Sequence, residues 1–238
     1  MITTAVIMAA GMGTRFGELT DQQPKGFVLF KNKPMILRSI DTIIACGIKR
    51  IIIGTGYHKE AYEALCTQYP QIECVYSPRY AETNSMYTLY NCRHAIGNDD
   101  FLLLESDLVF NCEAIESLLR CPFDSAMLIT SVRKFQDQYY VEMNAQQELV
   151  RCSTNKSELN PSGELVGLHK ISRSFYQSMV NDYEKKVDKL PKLGYEYELL
   201  DISRHCTPLH VLKNDDCLWY EIDDIDDLTY AQKHINIE

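Results

Sequence analysis

The chain has 238 residues, 45% of them hydrophobic, enough to bury a sizeable core as a single α/β unit with insertions. Its formal charge of −9 argues against a nucleic-acid surface, which carries a basic patch. Nine cysteines without a C-x-x-C pair argue for reduced thiols in a cytoplasmic protein, against a disulfide scaffold or a zinc site. No apolar run approaches the ~20 residues that cross a bilayer, and the first residues lead straight into a core strand, so neither membrane insertion nor a signal peptide is expected.

Ala5-Val6-Ile7-Met8-Ala9 is an apolar run that predicts a buried parallel strand. It breaks into Gly11-Met12-Gly13-Thr14-Arg15-Phe16-Gly17, where glycines let backbone N–H groups approach a phosphate chain with no Cβ in the way. Arg15 adds a planar, permanently charged fork, and Lys25 follows on the same long loop, so one loop offers donors and cations to a polyphosphate. Two better-known phosphate loops fit poorly. For the dinucleotide fingerprint the third glycine comes one residue late, and the acidic residue due about 20 residues on is missing from a strand end, because Asp41 falls inside an amphipathic helix. For a P-loop the closing Gly-Lys-Ser/Thr is missing. A glycine turn that only joins strand to helix would leave Arg15 and Pro24-Lys25 unexplained.

Ala9-Ala10-Gly11-Met12-Gly13-Thr14-Arg15-Phe16, followed by Gln23-Pro24-Lys25-Gly26, resembles the signature of the nucleotidyltransferase superfamily, enzymes that join an NTP to a phosphorylated metabolite. Lys33-Pro34-Met35-Ile36 resembles the segment that follows it. The resemblance implies a Rossmann-like α/β fold, a mostly parallel sheet flanked by helices, over a single domain spanning residues 1–238. It also implies a small β-rich acceptor-binding insertion at roughly 133–207, and places Ala10, Gly11, Gly13, Thr14, Arg15 and Lys25 around the nucleotide.

Further along, Met35 to Cys46 is apolar on one helical face and stops at Gly47. Arg50 to Gly54 predicts a strand, His58 to Gln68 a helix and Ile72 to Tyr76 a third strand. The alternation predicts a mostly parallel sheet. In Tyr80 to Tyr90, Asn84 or Ser85 suits the N-cap of a helix running through Cys92, whose first amides could read a base edge or hold an anion. The residues alone fit an ordinary cap with aromatic core behind it equally well. Thr83-Asn84-Ser85-Met86-Tyr87-Thr88-Leu89-Tyr90 looks like the form found in small cytidylyltransferases for phosphocholine and 2-aminoethylphosphonate, which places Thr83, Asn84 and Ser85 along the nucleotide and makes CTP the expected donor.

Phe101-Leu102-Leu103-Leu104 predicts a central strand whose carboxyl end emerges at Glu105-Ser106-Asp107, where open α/β sheets bind ligands. Asp107 is thereby placed to hold Mg²⁺ against a triphosphate, and it matches the metal-binding Asp of the superfamily; a plain surface aspartate is the alternative. A helix to Arg120, a strand over Asp124 to Val132, a hairpin over 139–143 and 148–152, a polar loop over 153–163, a strand over 165–171 and helices over 172–188 and 195–205 complete the middle. The closing Glu221-Ile222-Asp223-Asp224-Ile225-Asp226-Asp227-Leu228 resembles the superfamily's D-I-D-x-x-x-D-L, which makes Asp223 the second metal carboxylate, with Asp226 and Asp227 opening the last helix.

The resemblance to small cytidylyltransferases leaves the acceptor open between a small amino-phosphonate and an amino-phosphate. A quaternary ammonium calls for an aromatic cage, and the chain has one Trp. A primary ammonium calls for hydrogen-bond acceptors. Glu142, Glu196 and Glu198 in the variable region are candidates, each of which could equally be a plain surface charge, and Lys170 lies in a segment poor in rings. These favour 2-aminoethylphosphonate, while Tyr87, Tyr139, Tyr195 and Tyr197 keep phosphocholine open. A nucleotide-binding regulatory module without turnover is the reading from another class. It would have no need of the complete set Arg15, Lys25, Asp107 and Asp223, which argues for an enzyme.

Overall fold

The computed structural model describes residues 2–133 and 138–237; four residues of the expected insertion, 134–137, lie outside it. In chain order its strands are β1 (Thr4–Ala9), β2 (Leu29–Phe30), β3 (Lys33–Pro34), β4 (Arg50–Thr55), β5 (Ile72–Tyr76), β6 (Phe101–Glu105), β7 (Leu108–Phe110), β8 (Ala126–Thr130), β9 (Tyr140–Met143), β10 (Leu149–Ser153), β11 (Gly163–Ile171), β12 (His210–Lys213) and β13 (Trp219–Glu221). Its helices are α1 (Met35–Ala45), α2 (Lys59–Gln68), α3 (Ser85–Asn91), α4 (Arg93–Ile96), α5 (Cys112–Arg120), α6 (Arg173–Tyr183), α7 (Tyr195–His205) and α8 (Ile225–His234).

β1 is buried along its whole length between two parallel neighbours, β4 and β6, and β5 lies parallel outside β4. A strand enclosed on both faces needs apolar residues at every position, which is why it reads as an unbroken run. The faces still differ. Ala5 and Ile7 join Ile36, Ile40, Ile43, Ile51, Ile53, Leu102 and Leu104 under α1, α2 and α5. Val6 and Met8 join Ile52, Leu103, Met86, Leu89, Phe175, Met179 and Leu199 under α3, α6 and α7. Two helical layers therefore cover one sheet, the α/β arrangement that the alternation of elements predicts.

Beyond β6 the sheet turns antiparallel. On one edge β11 pairs with β9 over its first residues and with β6 over residues 168–171, and on the other edge with β8 along both parts; β10 closes the hairpin with β9, and β12 runs parallel to β8. β11 bends at Gly167, whose φ of +79° suits glycine, where its register with β8 shifts. α1 ends as the sequence predicts: Gly47 takes φ +94°, and Ile48 N–H reaches back to Ile43 O at 3.0 Å.

β2, β3, β7 and β12 are too short to stand out in a hydrophobic pattern and are not predicted. β7 matters most, because β13 pairs with it antiparallel, Leu108 opposite Glu221, and Ile222 N–H extends the ladder to Asp107 O at 3.1 Å. Among the described residues no helix is long and apolar enough to cross a membrane.

Candidate active site

A cavity of about 370 Å³ opens at the carboxyl ends of β1 and β6. Its floor is Met8 and Ala10 from the end of β1 and Glu105, Ser106 and Asp107 from the end of β6. One wall is the glycine turn, with Gly11, Gly13, Thr14 and Arg15; the other is the start of α3, with Thr83, Asn84, Ser85 and Thr88.

The turn is held open from below. Gly13 adopts a left-handed conformation, and a Cβ there would stand 3.0 Å from Lys25 Cβ. Thr20 Oγ1 donates to Gly13 O at 3.0 Å and Gly17 O at 3.1 Å, while Phe16 is fully buried against Val28, Phe30, Met35 and Ile222. Gly11 has open space where a side chain would be. Rigid anchors thus surround backbone that a ligand can approach.

The cationic and acidic residues of the sequence analysis converge here. Lys25 Nζ pairs with Asp107 Oδ2, and with Asp223 Oδ1 at 2.6 Å; Arg15 Nη2 donates to the same Asp223 oxygen at 2.6 Å. Burial works against the charge on Lys25, but Asp107, Asp223 and Glu221 outweigh it and hold its pKa above the ordinary value. Asp223 is fixed by the cap of α8: Asp224 accepts the Asp227 N–H at 2.8 Å, and Asp227 accepts the Asp223 N–H at 3.1 Å. Of the two expected helix-opening aspartates, Asp227 thus braces the site, together with the N-cap Asp224.

Two further carboxyl groups stand where the sequence reading named none. Glu105 and Glu221 close β6 and β13 and each lie two residues before Asp107 and Asp223. Oxygens of Glu105, Asp107 and Glu221 lie within 4.8 Å of one another. Burial first, then Asp107, Glu221 and Glu196, push Glu105 well above the usual carboxylate range, and Tyr195 Oη donates to it at 2.5 Å. Asp107 Oδ1 is buried with no hydrogen-bond partner. This set of hard oxygen donors, one left unsatisfied, fits a divalent cation of the Mg²⁺ type. The signal for Glu105 and Glu221 was their closeness in sequence to the two expected metal aspartates.

The start of α3 differs from expectation. Its first amides do not face the cavity free: Ser85 N–H is taken by Asn84 Oδ1 at 2.8 Å and Met86 N–H by Leu193 O at 3.3 Å. Thr83, Asn84 and Ser85 line the cavity, and Ser85 Oγ accepts Tyr195 N–H at 3.0 Å, tying α3 to α7.

Of the eight residues named for the acceptor, the structure brings three to the site: Glu196, Tyr139 and Tyr195. Glu196 lines the cavity and, with Tyr139, an adjoining chamber of about 130 Å³ that shares Arg15, Glu105 and Asp223. Burial raises Glu196 to about 7. The other five, Tyr197 among them, line neither space. Lys170 sits opposite Leu102, near the start of β6, because β11 runs antiparallel to it; its ammonium donates to Cys121 O at 3.1 Å at the far end of the sheet. Glu142 points away from the cavity and accepts Asn160 N–H at 3.1 Å. Glu198 follows Glu196 by two positions, so it leaves α7 on the opposite side and meets Lys186 at 3.3 Å. Tyr87 turns into the core under the Arg79 guanidinium, while Ser85 and Thr88, three apart on α3, face the cavity.

Curated relatives are similar to parts or most of this chain. A 2-aminoethylphosphonate cytidylyltransferase of Lancefieldella rimae is 34% identical over 113 residues, 48% of this chain and 46% of that protein. A choline-phosphate cytidylyltransferase of Streptococcus pneumoniae is 37% identical over 94 residues, 40% of this chain and 41% of that protein. A CMP-5'-(3-aminopropyl)phosphonate synthase of Streptomyces rubellomurinus is 25% identical over 95% of this chain and 38% of that protein. The chain thus spans about half, or less, of the length of these relatives. The fold of a solved CTP:phosphocholine cytidylyltransferase from Streptococcus pneumoniae superposes with a TM-score of 0.81 at 22% identity, covering 98% of this chain and 99% of that one. An inositol-1-phosphate CTP transferase from T. maritima does so with 0.81 at 17% identity, covering 98% and 97%. Residues 5–169, from the first core strand through the glycine turn and Asp107 to β11, match the MobA-like NTP transferase domain, and the chain belongs to that family.

Proposed function

We propose that the chain transfers a cytidylyl group from CTP to 2-aminoethylphosphonate, giving CMP-aminoethylphosphonate and pyrophosphate. The observation that carries this reading is the meeting of Asp107 and Asp223 on one buried ammonium, Lys25, directly beneath the glycine turn and at the edge of an open cavity. A structure that only bound a nucleotide would have no need of that complete set.

In this reading the backbone of Ala10, Gly11, Gly13 and Thr14 takes the triphosphate, and Thr83, Asn84 and Ser85 line the nucleoside end. Arg15, whose side chain is 54% exposed, has the reach to neutralise phosphate charge at the mouth, and Lys25 does so from below. Asp107 and Asp223, with Glu105 and Glu221 beside Asp107, would hold Mg²⁺, which would supply Lewis-acid stabilisation of the charge that builds on the α-phosphate. A phosphonate oxygen attacks the α-phosphorus in line as the bond to the departing pyrophosphate breaks. Such an oxyanion is largely ionised near neutrality, since phosphate esters have a second pKa of ≈ 6, so no general base is required. Positioning and electrostatics carry the rate.

The segment from β9 through α7 forms the acceptor side, with Glu196 as the anion for the amine and Tyr139 beside it. Tyr139 is the one aromatic ring on the adjoining chamber among the described residues, short of the cage that a quaternary ammonium calls for. Phosphocholine is the second reading, favoured by that ring and by the 37% identical choline-phosphate relative. Pyrophosphate release from CTP and Mg²⁺, measured with each acceptor in turn, separates the two. CTP binding without release from any acceptor would leave only a regulatory module.

A further inference from the structure

Three walls of the site meet at one buried residue. Tyr195 opens α7 and is fully buried, so its ring offers no open face to an ammonium. Its backbone N–H goes to Ser85 Oγ, on the wall that Thr83 and Asn84 share, and its side chain ends on the Glu105 carboxylate at the close of β6, 2.5 Å from Oη. The next residue is Glu196, which lines the cavity. His169, itself fully buried, packs against the ring at 5.4 Å and 87°.

Glu105 stands with Asp107 and Glu221 in the oxygen cluster that fits a divalent cation. A carboxylate on a glutamate can turn about three side-chain bonds, and an ion binds tightly only where its oxygens are already placed. Hydrogen bonds from behind a ligand supply that order in metal sites. Among the described residues, the one side-chain hydrogen bond to Glu105 comes from Tyr195. A phenol has a single proton to donate, so this hydroxyl gives the acceptor none. Anchored at its backbone by Ser85 and along its ring by His169, Tyr195 holds the hydroxyl in one place.

We propose that Tyr195 is a positioning residue of the metal site, its hydroxyl fixing the Glu105 carboxylate for the divalent cation. This rests on the cation reading of that cluster and is independent of which acceptor is used. Through the Ser85 bond the same residue also sets the carboxylate against the nucleoside wall.

The test is Mn²⁺ binding to the whole chain without nucleotide or acceptor, followed by the paramagnetic resonance of the free ion. It compares the wild type, Tyr195→Phe, Glu105→Gln and the double variant, well below the lowest Tm of the four. Phenylalanine keeps the ring, its packing on His169 and the N–H to Ser85, and removes only the hydroxyl. Tyr195→Phe should weaken Mn²⁺ binding by about tenfold or more. In the Glu105→Gln background the same substitution should change the affinity by less than about twofold, because the hydroxyl acts through that carboxylate. A lower Tm in EDTA with unchanged Mn²⁺ affinity marks a hydroxyl that serves folding alone and overturns the proposal. An equal loss with and without the Glu105 carboxylate does the same. Wild-type protein that takes up no Mn²⁺ overturns both the proposal and the cation site. Transfer is judged separately by pyrophosphate release: the expected coupling with no release from any acceptor would refute the transferase reading and leave the role of Tyr195 standing.

Discussion

Lys25 Nζ lies 2.6 Å from Asp223 Oδ1, joining residues 198 positions apart, and the same ammonium pairs with Asp107. One short turn near the amino terminus thus closes on two acidic segments, one from the end of the central strand and one from near the end of the chain. Lys25 neutralises carboxylates that would otherwise repel each other inside the protein.

Lys25→Met should therefore damage more than chemistry. Its side chain is 12% exposed between two nearly buried carboxylates, and removing one partner of a buried pair costs about 3–5 kcal/mol. Melting in EDTA should fall by several degrees, and millimolar Mg²⁺ should recover more stability in the variant than in the wild type. Equal metal effects in both proteins would argue that the aspartates do not hold the ion.

Asp107→Asn should separate turnover from folding. Lys25 keeps Asp223 as its partner, so the melting temperature should change little, while cytidylyl transfer should fall by about 10²–10³-fold or more. A near-normal rate of pyrophosphate release would remove Asp107 from the metal site.

Glu196 gives the acceptor reading a pH signature. Burial raises its carboxyl to about 7, and only the ionised form attracts an ammonium. The kcat/KM for 2-aminoethylphosphonate should rise with pH through about 7, and Glu196→Gln should lose that rise. The titration of the acceptor's own phosphonate is common to both proteins and cancels in their ratio, which is the quantity to plot.

Glu198 should affect stability and leave the acceptor alone. Burial raises it to about 7 against the opposing pull of Lys186. A folded pKa above the unfolded value of about 4.3 means that its contribution is complete below that value and is lost as pH rises through about 7. Glu198→Gln should match the wild type near pH 4 and exceed it by on the order of 2 kcal/mol at pH 8. Thermal melts across that range test this. The acceptor KM should stay unchanged, since Glu198 faces away from both chambers.

What was legible in the sequence was whatever local pattern encodes. The Ala5 to Ala9 run, the amphipathic Met35 to Cys46 stretch with Gly47 behind it and the polar break after Leu104 each carry their structure in a few neighbouring residues. The glycine turn with Arg15 and Lys25 was equally plain, because backbone that admits a phosphate can be made by few residue types. The Asp223 motif was readable as a string, and its place beside Asp107 was not.

That place depends on tertiary pairing. β7 and β13 are three residues each, too short to show a period, and only their antiparallel register, Leu108 opposite Glu221, brings Asp223 next to Asp107. The same holds for the acceptor side. Glu196 and Glu198 are indistinguishable in composition, and the turn of α7 sends one into the cavity and the other toward Lys186. Lys170 was lost because strand direction decides which end of the sheet a side chain reaches, and the use of Tyr195 stayed hidden because its partner Glu105 lies 90 positions away in the chain. The sequence by itself determined the sheet and the phosphate turn, since both follow from interactions between near neighbours. Which carboxylates meet, and which face the cavity, was decided by long-range register and helical phase.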